Sequence, residues 1–175
     1  TVSVLGTGEL GQAAIQALLK QGYQVNSWSR SVKEIEAVQG FVGLEQLPQM
    51  LAQTEILVCL LPLTEETKGL LCKDTFQALP KGAKVINFAR GPIINHEDLI
   101  NALDNQQLAH AVLDVFDTEP LPTTSALWSC ENITILPHIS APTNCRTASK
   151  IVASNLNTYF ESGKIPAAIN RSRGY

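Results

Sequence analysis

The chain has 175 residues, with 13 lysines and arginines against 16 aspartates and glutamates and a formal net charge of -3 at pH 7. That near balance excludes nucleic acid and an anionic membrane surface as expected partners, and no apolar run is long enough to span a bilayer. No signal peptide is evident, and four cysteines (Cys59, Cys72, Cys130, Cys145) without metal or C-x-x-C spacing fit a reducing, cytoplasmic compartment.

Residues 2–5 are a short apolar run of strand type. Gly6, Gly8 and Gly11 follow as G-x-G-x-x-G, and an amphipathic segment begins at once. Strand, tight turn and helix in that order suit a dinucleotide. Gly6 allows the turn, Gly8 lets the backbone approach a pyrophosphate, and Gly11 lets the helix pack on the strand. Free N–H groups at the helix start then face the phosphates. Residues 23–28 predict the next strand. An NAD site places an acid about 20 residues past the glycines to hold the ribose 2′-OH. Here the strand runs into Ser29, Arg30 and Ser31, and the nearest acid, Glu34, lies in the following segment. A guanidinium flanked by two hydroxyls suits a 2′-phosphate. NADP(H) is therefore expected in preference, with NAD(H) as the second choice and Lys33 as a less directed charge.

Further along, residues 32–38 predict a short helix and Phe41-Val42 a weak strand. Leu44, Leu47, Met50 and Leu51 repeat at helical spacing. Residues 56–61 form a continuous apolar run, as in a central parallel strand, with Cys59 a buried free thiol and Pro62 the stop. Residues 74–79 read as a short helix and 85–89 as a strand. Asn95 caps the next helix, which carries Glu97 and Asp98 in its first turn and reaches about Asn105. Residues 111–115 and 133–136 are the last two strands, separated by a proline-rich loop. His96, at a helix start, and His110, at a strand entrance, read as structural. From Thr143 a long helix aligns Ala148, Ile151, Val152, Leu156, Tyr159 and Phe160 on one stripe, and Gly163 stops it. The polar tail, 164–175, is expected to pack on something outside the chain.

The alternation of strands and helices gives an α/β class, a Rossmann-like, doubly wound parallel sheet with helices on both faces. Residues 1–142 form this domain, and 143–175 a C-terminal helix and tail. Ligands of such a sheet lie at the carboxyl ends of its strands. Polar residues gather there in LLPLTEETK, ARGP, DVFDTEP and PHISAP.

The segments NFARGPIINHEDL, VLDVFDTEPLP and LPHISAPT, with the opening VLGTGELGQ, resemble the signatures of the D-isomer-specific 2-hydroxyacid dehydrogenases over residues 2–151. WSRS, LLPLTEETKG and the C-terminal NRSRGY are most similar to the branch that reduces glyoxylate and hydroxypyruvate with NADPH. The resemblance implies a catalytic Arg, acid and His, which fall on Arg90, Glu119 and His138. His138 would protonate the carbonyl oxygen of a 2-keto acid, Glu119 would orient its ring and favour the charged form, and Arg90 would grip the substrate carboxylate. It also assigns Thr7, Glu9 and Leu10 to the glycine turn, and Leu61 and Pro62 to the adenosine side. Thr67 falls where the cofactor approaches, and Ala89 and Asp114 at the nicotinamide end, Asp114 accepting from the carboxamide. Ser140 and Ala141 would sit beside the ring, Ser140 departing from the usual Ala or Gly. No metal is implied.

The family builds its substrate domain mostly from an N-terminal segment that this chain lacks. The expectation is a piece of a longer protein that binds nucleotide, turns over poorly alone, exposes the stripe on its long helix, and belongs to a homodimer acting on small-molecule 2-keto acids. A nucleotide-sensing module of corepressor type shares the fold and the Arg, acid and His, and stands as the alternative. The formate-type branch carries Gln where Glu119 stands.

Overall fold

The computed structural model describes residues 1–31 and 33–166. Its elements are β1 (Val2–Leu5), α1 (Glu9–Lys20), β2 (Val25–Ser29), β3 (Gln39–Val42), α2 (Gly43–Leu51), β4 (Ile56–Cys59), α3 (Lys73–Gln77), β5 (Ala83–Asn87), α4 (His96–Asp104), β6 (Leu108–Leu113), β7 (Ile133–Ile135) and α5 (Cys145–Ser162). The seven strands form one sheet in the order β3-β2-β1-β4-β5-β6-β7. Every neighbouring pair is parallel. This is the doubly wound fold expected from the sequence. The winding reverses between β1 and β4, the switch point where such sheets open a crevice.

β1 reads VSVL and is buried at all four positions, as a strand covered on both faces must be. One face packs Leu5, Trp28, Phe41, Leu57, Phe76 and Leu99 into the larger core cluster. Val4, Ile15 and Val25 form a smaller cluster with α1. Between them, Ser3 meets its need for a partner by bonding the buried Thr54 hydroxyl at 2.6 Å.

Three expectations are corrected. The helix expected over 32–38 does not form among the described residues 33–38, which make a loop and turn. Ala37 has φ 62, outside helical space, and Ile35 and Val38 instead lean on the smaller core cluster. The strands expected over 56–61, 85–89 and 111–115 end at Cys59, Asn87 and Leu113. Ala89 and Val115 are buried by loop packing rather than by strand pairing. Leu44 lies on α2 as expected, yet its side chain is exposed, and Leu47, Met50 and Leu51 carry the buried face.

The chain divides into two compact units, Thr1–His138 and Ile139–Tyr175. The second contains α5, capped by the Asn144 side chain on the Arg146 and Thr147 amides and closed by Gly163 in the left-handed region. Its expected stripe (Ile151, Val152, Leu156, Tyr159, Phe160) is exposed. Residues 167–175, with NRSRGY and most of the polar tail, lie outside the described residues.

Candidate active site

The parallel register places one residue of each strand in a row across the sheet: Phe41, Trp28, Leu5, Cys59, Asn87, Leu113 and Ile135. Within three residues beyond that row come Arg30, Gly8, Pro62, Arg90, Asp114 and His138. The candidates of the first unit thus share one edge because the strands share one direction.

At the switch point the glycines divide their work. Gly6 has φ 101, and a Cβ there would stand 2.8 Å from the Leu60 carbonyl oxygen. A Cβ on Gly11 would stand 1.9 Å from the Gly6 carbonyl oxygen. Both serve packing. Gly8 has nothing within 4 Å of its would-be Cβ, and it caps α1 without a side-chain bond. The first amides of α1 are thus left to an external anion with open space beside them. These residues fit a dinucleotide pyrophosphate. Thr7 is buried, while Glu9 and Leu10 are exposed at the mouth of the turn.

The neighbouring segments are ordered by their own bonds. Ser29 Oγ donates to the Ser31 carbonyl at 2.7 Å, turning the chain just beyond β2, with Arg30 exposed between them. Leu61 is buried and Pro62 half-buried. Thr67 Oγ1 donates to the Pro62 carbonyl at 2.7 Å and accepts from the Thr64 amide at 2.8 Å, so its hydroxyl shapes the turn after β4.

The Arg, Glu and His are brought together by three loops, those after β5, β6 and β7. Asn87, fully buried at the end of β5, accepts from the Ala89 amide and donates to the Arg90 carbonyl, both at 3.1 Å, and so fixes the turn that presents Arg90. Arg90 Nη1 donates to the Ala89 carbonyl at 2.6 Å. A Cβ on Gly91 would lie 2.0 Å from the Phe116 carbonyl carbon, so this loop and the loop after β6 touch backbone to backbone. The Phe116 amide donates to Glu119 Oε1 at 2.9 Å, and Glu119 Oε2 accepts from His138 Nδ1 at 2.7 Å. The bond from His138 and then that from the Phe116 amide hold the Glu119 carboxyl below the usual carboxylate range, and the charges of His138 and Arg90 add to this. His138 sits at φ 55, a left-handed conformation uncommon outside glycine and of the kind that collects at functional sites. Asp114, buried at the end of β6, donates its amide to the Asn87 carbonyl at 3.1 Å.

Ser140 and Ala141 belong to the second unit. His110 Nε2 lies 2.9 Å from Thr134 Oγ1. His96 Nδ1 is 3.7 Å from Asp117 Oδ2 and its buried Nε2 has no partner. Cys59 is fully buried, and desolvation pushes its thiol up to about 12. A groove of about 720 Å³ between α3 and α4, lined by residues such as Lys73, Phe76, Asp98 and Gln107, contains none of the candidates. Sequence reasoning missed Asn87, Gly91 and the Phe116 amide. The first two stand inside the NFARG motif, and nothing in the sequence marks a backbone amide.

The chain matches the profile described as D-isomer specific 2-hydroxyacid dehydrogenase, NAD binding domain, over residues 1–140. It is 43% identical over 169 residues to glyoxylate/hydroxypyruvate reductase A of Serratia proteamaculans (strain 568), covering 97% of this chain and 54% of that protein. The chain thus spans about half the length of this curated relative. A D-isomer specific 2-hydroxyacid dehydrogenase of Xanthobacter autotrophicus Py2, solved with NADPH and MES, superposes with a TM-score of 0.94 at 44% identity, covering 99% of this chain and 72% of that one. An NADPH-dependent glyoxylate/hydroxypyruvate reductase of Sinorhizobium meliloti, solved with NADP and sulfate, gives 0.92 at 34% identity, covering 99% and 56%.

Proposed function

The chain belongs to the D-isomer specific 2-hydroxyacid dehydrogenase family through its NAD binding domain, and on that premise we propose that it is the cofactor-binding part of an NADPH-dependent reductase of small 2-keto acids, glyoxylate and hydroxypyruvate. The observation that carries this is the 2.7 Å bond between Glu119 and His138 at the carboxyl edge, close enough to Arg90 for its charge to act on Glu119. The bound nicotinamide supplies the hydride. His138, oriented through Nδ1, presents Nε2 to give a proton to the carbonyl oxygen. Glu119 fixes the orientation of that ring, and Arg90 offers a planar fork to the substrate carboxylate.

The glycine turn holds the pyrophosphate, and Ser29, Arg30 and Ser31 read the 2′-phosphate, so NADP(H) is preferred and NAD(H) possible. Leu61 and Pro62 flank the adenosine side, Thr67 lies where the cofactor approaches, and Ala89 and Asp114 shape the nicotinamide end, to which Ser140 and Ala141 are also assigned. The relatives solved with NADPH and NADP support this choice. Family likeness supports a cytoplasmic homodimer, and the -3 charge a protein that does not bind nucleic acid. The relatives carry dehydrogenase and reductase names and lend no support to a nucleotide-sensing module.

The test is glyoxylate and hydroxypyruvate reduction by the full-length protein, followed through NADPH absorbance. His138→Asn, a residue that tolerates the left-handed backbone, should lower kcat/KM at least about 100-fold. NADPH affinity should change less than about threefold. Turnover preserved in that variant would refute the assignment.

A further inference from the structure

We propose that His96 is a positioning residue of the reduction, one that holds the loop after β6 so that Glu119 reaches His138. The inference rests on the catalytic reading above. Its ground is a fixed segment lying against a suspended one. Residues 91–96, which follow Arg90, are bonded through the backbone to the loop that precedes α3. The Gly69 amide donates to the Pro92 carbonyl at 2.9 Å, the Leu71 amide to the Ile93 carbonyl at 3.0 Å, and the Asn95 amide to the Leu71 carbonyl at 2.9 Å. Leu71 and Ile93 are fully buried. The bonds of residues 116–119 are instead local, from the Phe116 amide to Glu119, or lead onward to His138. Both ends of the fixed segment grip the first two residues of that loop. Gly91 seats the backbone of Phe116 and Asp117. His96 meets their side chains: its ring lies 6.5 Å from the Phe116 ring, and its Nδ1 lies 3.7 Å from Asp117 Oδ2.

The imidazole suits that place. Nδ1 faces a carboxylate, while Nε2 is buried without a partner. A lone pair on Nδ1 would repel the carboxylate, so the proton of the neutral ring belongs there and the bare nitrogen is left to the interior. The side chain of His96 is 21% exposed and that of Asp117 56%, so the ring is the seated partner and Asp117 the one drawn to it. At 3.7 Å the contact is too long for a hydrogen bond, and its partner is well solvated, so its attraction is modest. Its effect comes from where it acts. Glu119 accepts from the Phe116 amide at 2.9 Å and from His138 at 2.7 Å, and a small displacement of Phe116 is passed straight to the ring that delivers the proton. The Gly91 seat survives the loss of His96, so the expected loss of rate is partial.

Hydroxypyruvate reduction by the full-length protein tests this, with NADPH affinity followed by calorimetry. His96→Phe keeps a ring against Phe116 and removes Nδ1. It should lower kcat about fivefold and leave KM and NADPH affinity within about twofold. His96→Asn, whose amide nitrogen takes the place of Nδ1, should recover most of the loss. In a Glu119→Gln protein, His96→Phe should lower kcat no further, because the histidine acts through that acid. An unchanged kcat in His96→Phe overturns the proposal. So does an equal loss in the Glu119→Gln background, which would make the histidine merely structural. The catalytic reading fails separately, if Glu119→Gln alone leaves turnover intact. Exchange of the Phe116 amide then decides: the hold of His96 on Glu119 stands if His96→Phe speeds it about tenfold, and falls if the rate is unchanged.

Discussion

Gly91 and Gly8 are chemically identical and structurally opposite. A methyl on Gly91 would enter the backbone of Phe116 and Asp117, with contacts of 2.0 to 2.4 Å, whereas one on Gly8 would meet nothing within 4 Å. The loop that Gly91 admits positions Glu119 through the Phe116 amide, so spreading it displaces both the acid and His138. Gly91→Ala should destabilise by about 1–3 kcal/mol, the usual range for overpacking, with kcat falling further than KM rises. Gly8→Ala should leave thermal unfolding nearly unchanged and weaken NADPH and NADH alike, because its methyl occupies the space proposed for the pyrophosphate. Unfolding curves and titrations of the two variants check this. A Gly91→Ala protein with unaltered stability and kcat would remove the case for a backbone-to-backbone seat.

At the scale of elements, caps connect sequence to stability most directly. Asn95 accepts from the Asp98 amide at 3.1 Å, and Asp98 in turn accepts from the Lys73 amide at 2.9 Å, so one side chain closes α4 and its neighbour closes α3. Asn95→Ala should cost about 1 kcal/mol, measured by denaturant unfolding, while Asn105→Ala, at the far end of α4, should cost less. The Asn95 cap was legible because capping is local: a short polar residue before an apolar-periodic run has one reading. The 33–38 loop was not, since its apolar residues answer to a core formed by β1, α1 and β2 and not to their own spacing. The ends of β5 and β6 were overrun because apolar character reports burial, and loop packing buries Ala89 and Val115 as thoroughly as strand pairing would. The candidate site divides the same way. Arg90, Glu119 and His138 stand in contiguous motifs, but the seat of Gly91 against the Phe116 backbone and the bond between Glu119 and His138 depend on distant parts of the chain meeting.

At the scale of the whole fold unit, His96 and Glu119 both contribute to how stability follows pH. Burial pushes the pKa of His96 below its ordinary value, and the nearby Asp117 charge opposes that without reversing it. Glu119 is held below the carboxylate range, first by His138 and then by the Phe116 amide. In both cases the unfolded chain takes up its proton before the folded chain does. Stability therefore falls as pH drops from the unfolded value toward the folded one. For His96 the loss begins at about pH 6.5, and for Glu119 only below about pH 4.5. The groups bearing on His96 are Asp117 across the contact and Glu97 beside it on α4, and the Phe116 ring lies 6.5 Å away. Protonating His96 places a charge on a ring whose Nε2 is buried without a partner. The strain falls on α4 and on the loop that holds Glu119. His96→Gln should therefore flatten the decline in unfolding free energy between pH 7 and pH 5 and leave the steeper decline below that range intact. Denaturant titrations across the interval measure it, and parallel curves for the two proteins would mean that His96 does not contribute to the acid limb.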